Sequence, residues 1–265
     1  MDAASVLLLA QAGDGFIRDP EDATTSCVAE NDTVCFGWAA DHVDRYVEPT
    51  LEHFGLVIPS VAAGFVIAFV LAVLSHRRRW LIPAFVGATG VLYTIPSIAL
   101  FLLLLPITGR GTTTAIIALT LYTLQIIYRN IVTGLGNVPE AAKDSGRGMG
   151  MTDRQLLWRV ELPLAVPEII AGLRIATVST VAIATLAFFA GAGGLGEVIY
   201  NGITLDVFKT DIVIGSGIAV LMAIGFDVLL IGLQARLARW RSPGRQRGRL
   251  SGLLPRPARP AGTGG

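Results

Sequence analysis

Between Asp144 and Pro167 the chain reads DSGRGMGMTDRQLLWRVELPLAVP, a polar, glycine-punctuated stretch between two long apolar runs that closes on the step Leu162-Pro163. Met149, Met151, Leu156, Leu157 and Trp158 are spaced among alternating charges. That pattern suits short amphipathic helices that dock against another protein at the aqueous face of a membrane. The chemistry on offer is mechanical. Small residues let a helix seat closely in a partner's cleft, and Gly150 can bend the chain toward the next segment. An ordinary polar linker is the plainer alternative. The sequence holds no Gly-x4-Gly-Lys-[Ser/Thr] phosphate loop, no His-Glu-x2-His, no Gly-x-Ser-x-Gly and no Cys-x2-Cys.

Tyr93, Thr94, Tyr122 and Gln125 lie inside apolar runs and suit a different task. Pro96 lacks a backbone donor and frees a carbonyl, which a membrane tolerates only where that carbonyl faces protein or a water-filled path. Aromatic faces along such a path bind a quaternary ammonium through cation–π attraction. The alternative for each residue is hydrogen bonding between packed helices. Gly193 and Gly194, in the run GAGGLG at 191–196, serve either tight packing in a re-entrant turn or a hinge at an outer gate. Asp227 is expensive in a bilayer and is expected to face the bundle or the headgroup region, as a structural hydrogen-bonding group or a proton relay.

The elements that must position these residues follow from hydropathy. With 52% hydrophobic residues, 15% charged and a mean hydropathy of +0.61, the composition excludes a soluble globular domain. Charge-free apolar runs mark five spans, at about Phe54–Ser75, Trp80–Gly109, Gly111–Tyr128, Ile175–Gly196 and Ile212–Gln234. The fourth is expected to begin nearer Pro167, with Glu168 and Arg174 at its aqueous end. The second is long for one span and is divided by Pro83, Pro96 and Pro106, so it reads as an interfacial start followed by a kinked or broken helix. The expected fold is an all-α membrane protein of five transmembrane helices. Its organisation is an exported acidic segment at 1–50, a membrane domain at 51–236 with a loop at about 133–163, and a basic tail at 237–265.

Basic residues set the orientation. His76-Arg77-Arg78-Arg79, the loop cations Arg129, Lys143, Arg147, Arg154 and Arg159, and the eight arginines from Arg236 to Arg259 fall on one side if the amino terminus is outside. The first fifty residues hold ten of the twenty acids against only Arg18 and Arg45. The arginine-rich tail reads as a solvated segment near anionic lipid; nucleic acid is not an expected partner. Val6–Ala10 is too short to span, and Ala10-Gln11-Ala12 faintly resembles a signal-peptidase site without a basic region before it. Cys27 and Cys35 fall in the exported segment, where they form either a disulfide or two free thiols. His42 and His53 lack ligand spacing to them, so no metal site is expected.

The loop resembles the signature loop of ABC importer permeases, the binding-protein-dependent transport system inner-membrane components. That loop carries Glu-Ala-Ala, three residues, Gly, nine residues, then aliphatic-x-Leu-Pro. Nine residues separate Gly150 from Val160-Glu161-Leu162-Pro163, and Asp144-Ser145-Gly146 stands in the Glu-Ala-Ala place. A literal Glu140-Ala141-Ala142 lies four residues earlier with Gly146 as its glycine, but its Leu-Pro then falls four residues late. We adopt the Asp144/Gly150 register and treat Glu140 as a neighbour on the same helix. Tyr93-Thr94-Ile95-Pro96-Ser97-Ile98-Ala99-Leu100-Phe101, Gly191 to Gly202 and Val160 to Ala165 are similar to permeases for glycine betaine, carnitine, choline and related solutes.

The resemblance covers roughly residues 50–240. It implies a type I importer architecture and a transport subunit without catalysis of its own. It also implies a cytoplasmic ABC ATPase docked on the loop through Glu140, Asp144, Ser145, Gly146, Gly150, Leu162 and Pro163, a second permease subunit and an extracytoplasmic solute-binding protein. ATP and magnesium belong to the ATPase, and this chain is expected to bind no cofactor. Tyr93, Thr94, Pro96, Ser97, Tyr122, Gln125, Gly193 and Gly194 are the expected path residues. A methionine permease shares the same plan, and a membrane assembly or scaffold protein is the alternative from another class.

Overall fold

In the computed structural model, residues 27–28, 31, 34–204 and 208–238 are described. The amino-terminal leader-like segment and the arginines from Arg239 onward lie outside them. The described elements are helical: α1 (Phe36–Asp41), α2 (Asp44–Arg77), α3 (Leu81–Thr94), α4 (Ser97–Thr108), α5 (Thr112–Gly136), α6 (Glu140–Gly148), α7 (Asp153–Leu156), α8 (Leu162–Ala184), α9 (Leu195–Thr204) and α10 (Lys209–Leu237). A π-turn at Leu157–Glu161 makes α7 and α8 continuous. Four helices are long and apolar enough to cross a membrane, and α3 with α4 forms a further pair bent by 96°.

The bend follows from Pro96. A residue before proline is pushed to extended backbone, and Ile95 has ψ 127°, which ends α3 and leaves its carbonyl without an intrahelical donor. The Tyr122 hydroxyl of α5 donates to that carbonyl.

α5 is the central post, packed on α2, α3, α4 and α8. Small residues allow the close crossings. A Cβ on Gly64 of α2 would lie 1.7 Å from Thr123 Oγ1, and one on Gly172 of α8 would lie 2.3 Å from Asn130 Cβ. Leu56, Phe101, Leu119 and Val181 fill the core at one end of the bundle, and Ile127, Tyr128, Ile131 and Leu157 fill it at the other. α10 packs mainly on α8 and α9 and leaves most of its surface open.

Several expected boundaries shift. α2 begins ten residues before Phe54, so the ordered bundle takes in the end of the segment assigned to 1–50. At about 1.5 Å per residue α2 is roughly 51 Å long against a hydrocarbon core of about 30 Å, so its first turns stand clear of the bilayer. There the Tyr46 hydroxyl donates to Asp211 Oδ1 and Arg45 Nη2 to Asp211 Oδ2, both at 2.8 Å, tying α2 to the start of α10. Cys27 and Cys35 are joined by a disulfide, and the Cys35 amide donates to Thr210 Oγ1 at 3.0 Å.

α5 runs to Gly136, eight residues beyond the expected Tyr128. The fourth span, expected from near Pro167 to Gly196, is part of a continuous helix over Asp153–Ala184, and Arg174 lies midway along Leu162–Ala184. At its end, residues 191–194 form a glycine turn that leads into α9, an element not expected.

Gly196 tests the turn. A Cβ there would sit 1.9 Å from the Thr185 carbonyl oxygen, a backbone atom that cannot step aside. Gly196→Ala is expected to lose at least about 1–3 kcal/mol through overpacking. Gly225→Ala, with nothing within 4 Å of its Cβ, is expected to hold or raise stability. Thermal unfolding in detergent reads both, and equal midpoints would contradict the close packing of Gly196 on Thr185.

Candidate functional site

The loop at 133–163 is a folded unit. α6 starts after Pro139 and turns Lys143 and Gly146 inward while Asp144, Ser145, Arg147 and Met149 face out. Lys143 Nζ donates to Glu140 Oε1 at 2.9 Å, and this hydrogen bond and charge hold the Glu140 carboxyl below the usual carboxylate range. Arg147 pairs with Asp144 at 3.3 Å on the outer face.

α6 ends in a Schellman motif. The Met151 amide donates to the Gly146 carbonyl at 3.1 Å, the Gly150 amide to the Arg147 carbonyl at 2.9 Å, and Gly150 has φ +78°. Gly146 and Gly150 therefore belong to one motif with different demands. Gly150 supplies the left-handed backbone, and Gly146 lets Leu156 close on α6, its Cβ position lying 2.5 Å from Leu156 Cδ1.

A capping box follows. Thr152 Oγ1 accepts from the Gln155 amide at 3.4 Å, and the Thr152 amide donates to Gln155 Oε1 at 2.9 Å, which starts α7. Leu156 and Leu157 bury inward, and the chain passes through the π-turn into Leu162-Pro163. Pro163 has no N–H for the carbonyl four residues back, which favours a wider turn there.

Sequence reasoning missed the anchor of this unit. Glu161 is buried, and its Oε2 stands 3.0 Å from His76 Nε2 at the end of α2, within ion-pair range though not aligned as a hydrogen bond. The charges at 76–79 and 161 were both visible, but no periodicity linked them.

The expected path residues fall into two groups. Tyr93 and Tyr122 stack edge to face with centroids 5.8 Å apart, and Gln125 accepts from the Thr89 hydroxyl of α3. Tyr93, Thr94 and Pro96 are exposed, Thr94 donating to the Val91 carbonyl at 2.7 Å, and Ser97 opens α4. Gly193 and Gly194 sit instead against the head of α2. With φ of +70° and +82°, they wrap the Glu52 carboxylate, whose Oε2 accepts from the Gly194 amide at 2.8 Å. A Cβ on Gly193 would lie 2.3 Å from that oxygen. His53 beside them is fully buried, with Nε2 3.1 Å from the Val181 carbonyl.

Asp227 faces the bundle through Arg174. Nε and Nη2 of Arg174 meet its two oxygens at 2.8 and 3.1 Å, a bidentate pair on the wall of an open groove of about 590 Å³ between α8 and α10. Among the described residues no cluster of His, Cys, Asp and Glu could hold a metal ion.

This arrangement, a helical hairpin at one end of a bundle with a broken second span, can be compared with known proteins. Residues 57–243 match the family described as binding-protein-dependent transport system inner membrane component. The chain belongs to that family. The carnitine transport permease protein OpuCB of Listeria monocytogenes is 38% identical over 71% of this chain and 86% of its own length. The osmoprotectant import permease protein OsmW of Salmonella typhimurium is 39% identical over 74% and 94%. The choline transport system permease protein OpuBB of Bacillus subtilis is 35% identical over 71% and 86%.

Among solved structures, the inward-facing MetNI methionine ABC transporter superposes with a TM-score of 0.64 at 22% identity, covering 71% of this chain and 94% of that one. An amino acid ABC transporter superposes with 0.66 at 18% identity, covering 77% and 99%. The permease therefore has the fold of an importer transmembrane subunit.

The loop geometry separates the two glycines. Gly150→Ala strains the backbone by about 1–2 kcal/mol, whereas Gly150→Asn is tolerated there. Gly146→Ala meets only the far end of Leu156, which can shift. At matched membrane levels, Gly150→Ala and Gly150→Val are expected to lower transport more than the same changes at Gly146, with Gly150→Asn close to wild type. Full transport by the Val variants at both positions would remove the loop as a coupling element.

Proposed function

We propose that this permease carries a compatible solute of the quaternary-amine class (glycine betaine, carnitine, choline or a proline-like molecule) across the cytoplasmic membrane. The energy comes from a separate ABC ATPase that docks on the outer face of α6. The observation that carries the solute class is the 35–39% identity, over about seven-tenths of the chain, to permeases named for carnitine, osmoprotectant and choline transport. The exposed Tyr93 ring beside Tyr122 supports it, since an aromatic face takes a desolvated cation with no formal counter-charge.

ATP and magnesium act on the ATPase, and this chain supplies the moving path. A second permease subunit completes the path, and an extracytoplasmic binding protein delivers solute to the end formed by α1, the head of α2 and α9. Charge supports that orientation. Arg77, Arg78, Arg79, Lys143, Arg147, Arg154, Arg159 and Arg236 gather at the loop end, and Asp41, Asp44, Glu48, Glu52, Glu197 and Asp211 at the other. The amino terminus is then outside and the loop cytoplasmic.

Two measurements test this reading. Proteoliposomes holding the permease, its ATPase and its binding protein are expected to take up labelled betaine, choline or carnitine only with ATP, and to leave methionine outside. Methionine uptake alone would overturn the solute class. After reduction, a membrane-impermeant maleimide is expected to label Cys27 and Cys35 in intact cells. A cysteine placed at Ser145 of a Cys-free variant should label only after permeabilisation, and the reverse pattern would overturn the orientation.

A further inference from the structure

At the loop end, a cleft of about 610 Å³ lies between the end of α2 and the α6–α7 hairpin. Arg77, Arg79, Lys143, Arg147 and Arg154 line it, with the buried Glu161 beside His76. Its five lining cations outnumber its lining acids, Asp153 and the buried Glu161. Glu140 answers Lys143 and feels the Arg79 charge, and Asp144 answers Arg147, while Arg77, Arg79 and Arg154 make no ion pair with the described residues.

A second cavity of about 230 Å³ shares His76, Arg79 and Lys143 with this cleft and runs into the bundle. Its inner wall is Ala72, Ile82, Val132 and Leu135. Together the two cavities form a basic chamber opening onto an apolar slot. Trp80 and Trp158, each next in sequence to a lining residue, are 69% and 51% exposed, as aromatic side chains are at a membrane interface.

We propose that this composite cavity binds one anionic phospholipid. Its phosphate is held by Arg79 and Arg154, with Arg77 at the rim, and an acyl segment enters the slot between α2 and α5. Guanidinium groups suit a phosphate because their planar forks donate to two oxygens at once. The buried Lys143 lines both the basic chamber and the slot. A lipid seated there would touch α2, α3, α5 and α6, and so would bear on the loop anchored by Glu161. The proposal is independent of which solute is carried.

Native mass spectrometry of the full chain, released from nanodiscs of mixed phosphatidylglycerol and phosphatidylcholine, tests it. Wild type is expected to retain phosphatidylglycerol over phosphatidylcholine. An Arg79→Gln/Arg154→Gln variant, with Arg77 and Arg78 left to hold the orientation, is expected to bind it about 30-fold more weakly, two basic contacts being lost. Arg236→Gln, whose charge lies outside the cleft, should bind like wild type. Equal retention of the two lipids, or retention of phosphatidylglycerol by the double variant, would overturn the proposal. Displacement of the lipid by an equal concentration of inorganic phosphate would reduce the cavity to a free-anion site and overturn the lipid assignment. Loss of the ATPase from the double variant with lipid binding unchanged would assign the cleft to a protein partner and overturn it too.

Discussion

Within a bilayer no water reaches a freed backbone group, so each N–H and C=O of a spanning segment must find its partner inside the protein. The fold can be followed through the places where helices break. At Pro96 the orphan carbonyl of Ile95 is taken by the Tyr122 hydroxyl, so the α3–α4 bend and the position of α5 are one feature. At the glycine turn after α8, the Glu52 carboxylate takes the Gly194 amide and the Ala190 carbonyl accepts from the Gly111 amide at 2.7 Å. That turn is held from both sides, by the head of α2 and by the start of α5.

Charges obey the same accounting. Asp211 is buried between Tyr46 and Arg45, Glu161 lies against His76, and Asp227 is gripped by Arg174. For the buried Asp211, losing its partners would cost about 3–5 kcal/mol, more than such a pair contributes over an apolar substitute. Such pairs specify register between helices more than they add stability. Each joins segments distant in sequence: α2 to α10, α2 to the π-turn, and α8 to α10.

The loop is built from three joints in a row. The Schellman motif at Gly150 closes α6, the capping box at Thr152 opens α7, and the π-turn before Pro163 carries α7 into α8 without a break. No flexible linker separates the outward face of α6 from a membrane-crossing helix. The outward face of α6 is therefore joined to α8 by a short, hydrogen-bonded path, and the Glu161–His76 contact adds a link to α2.

The sequence by itself determined the class of fold, the number of spans and the break in the second, because hydropathy runs and proline chemistry act locally. The bend at Gly150 was likewise readable from the sequence, although the Schellman motif it closes was not. Tertiary structure decided what depended on distant partners. Arg174 reads as a helix end in the sequence, and only the fold pairs it with Asp227, 53 residues away, midway along a long helix. For Gly193 and Gly194 the sequence leaves packing and path readings open, and only the fold shows that their backbone wraps the Glu52 carboxylate. The head of α2 looked like part of an acidic tail until Asp211 claimed Tyr46 and Arg45. In each case a charge or a glycine has a meaning set by what stands opposite it. A one-dimensional pattern carries periodicity within a segment but not the pairing between segments.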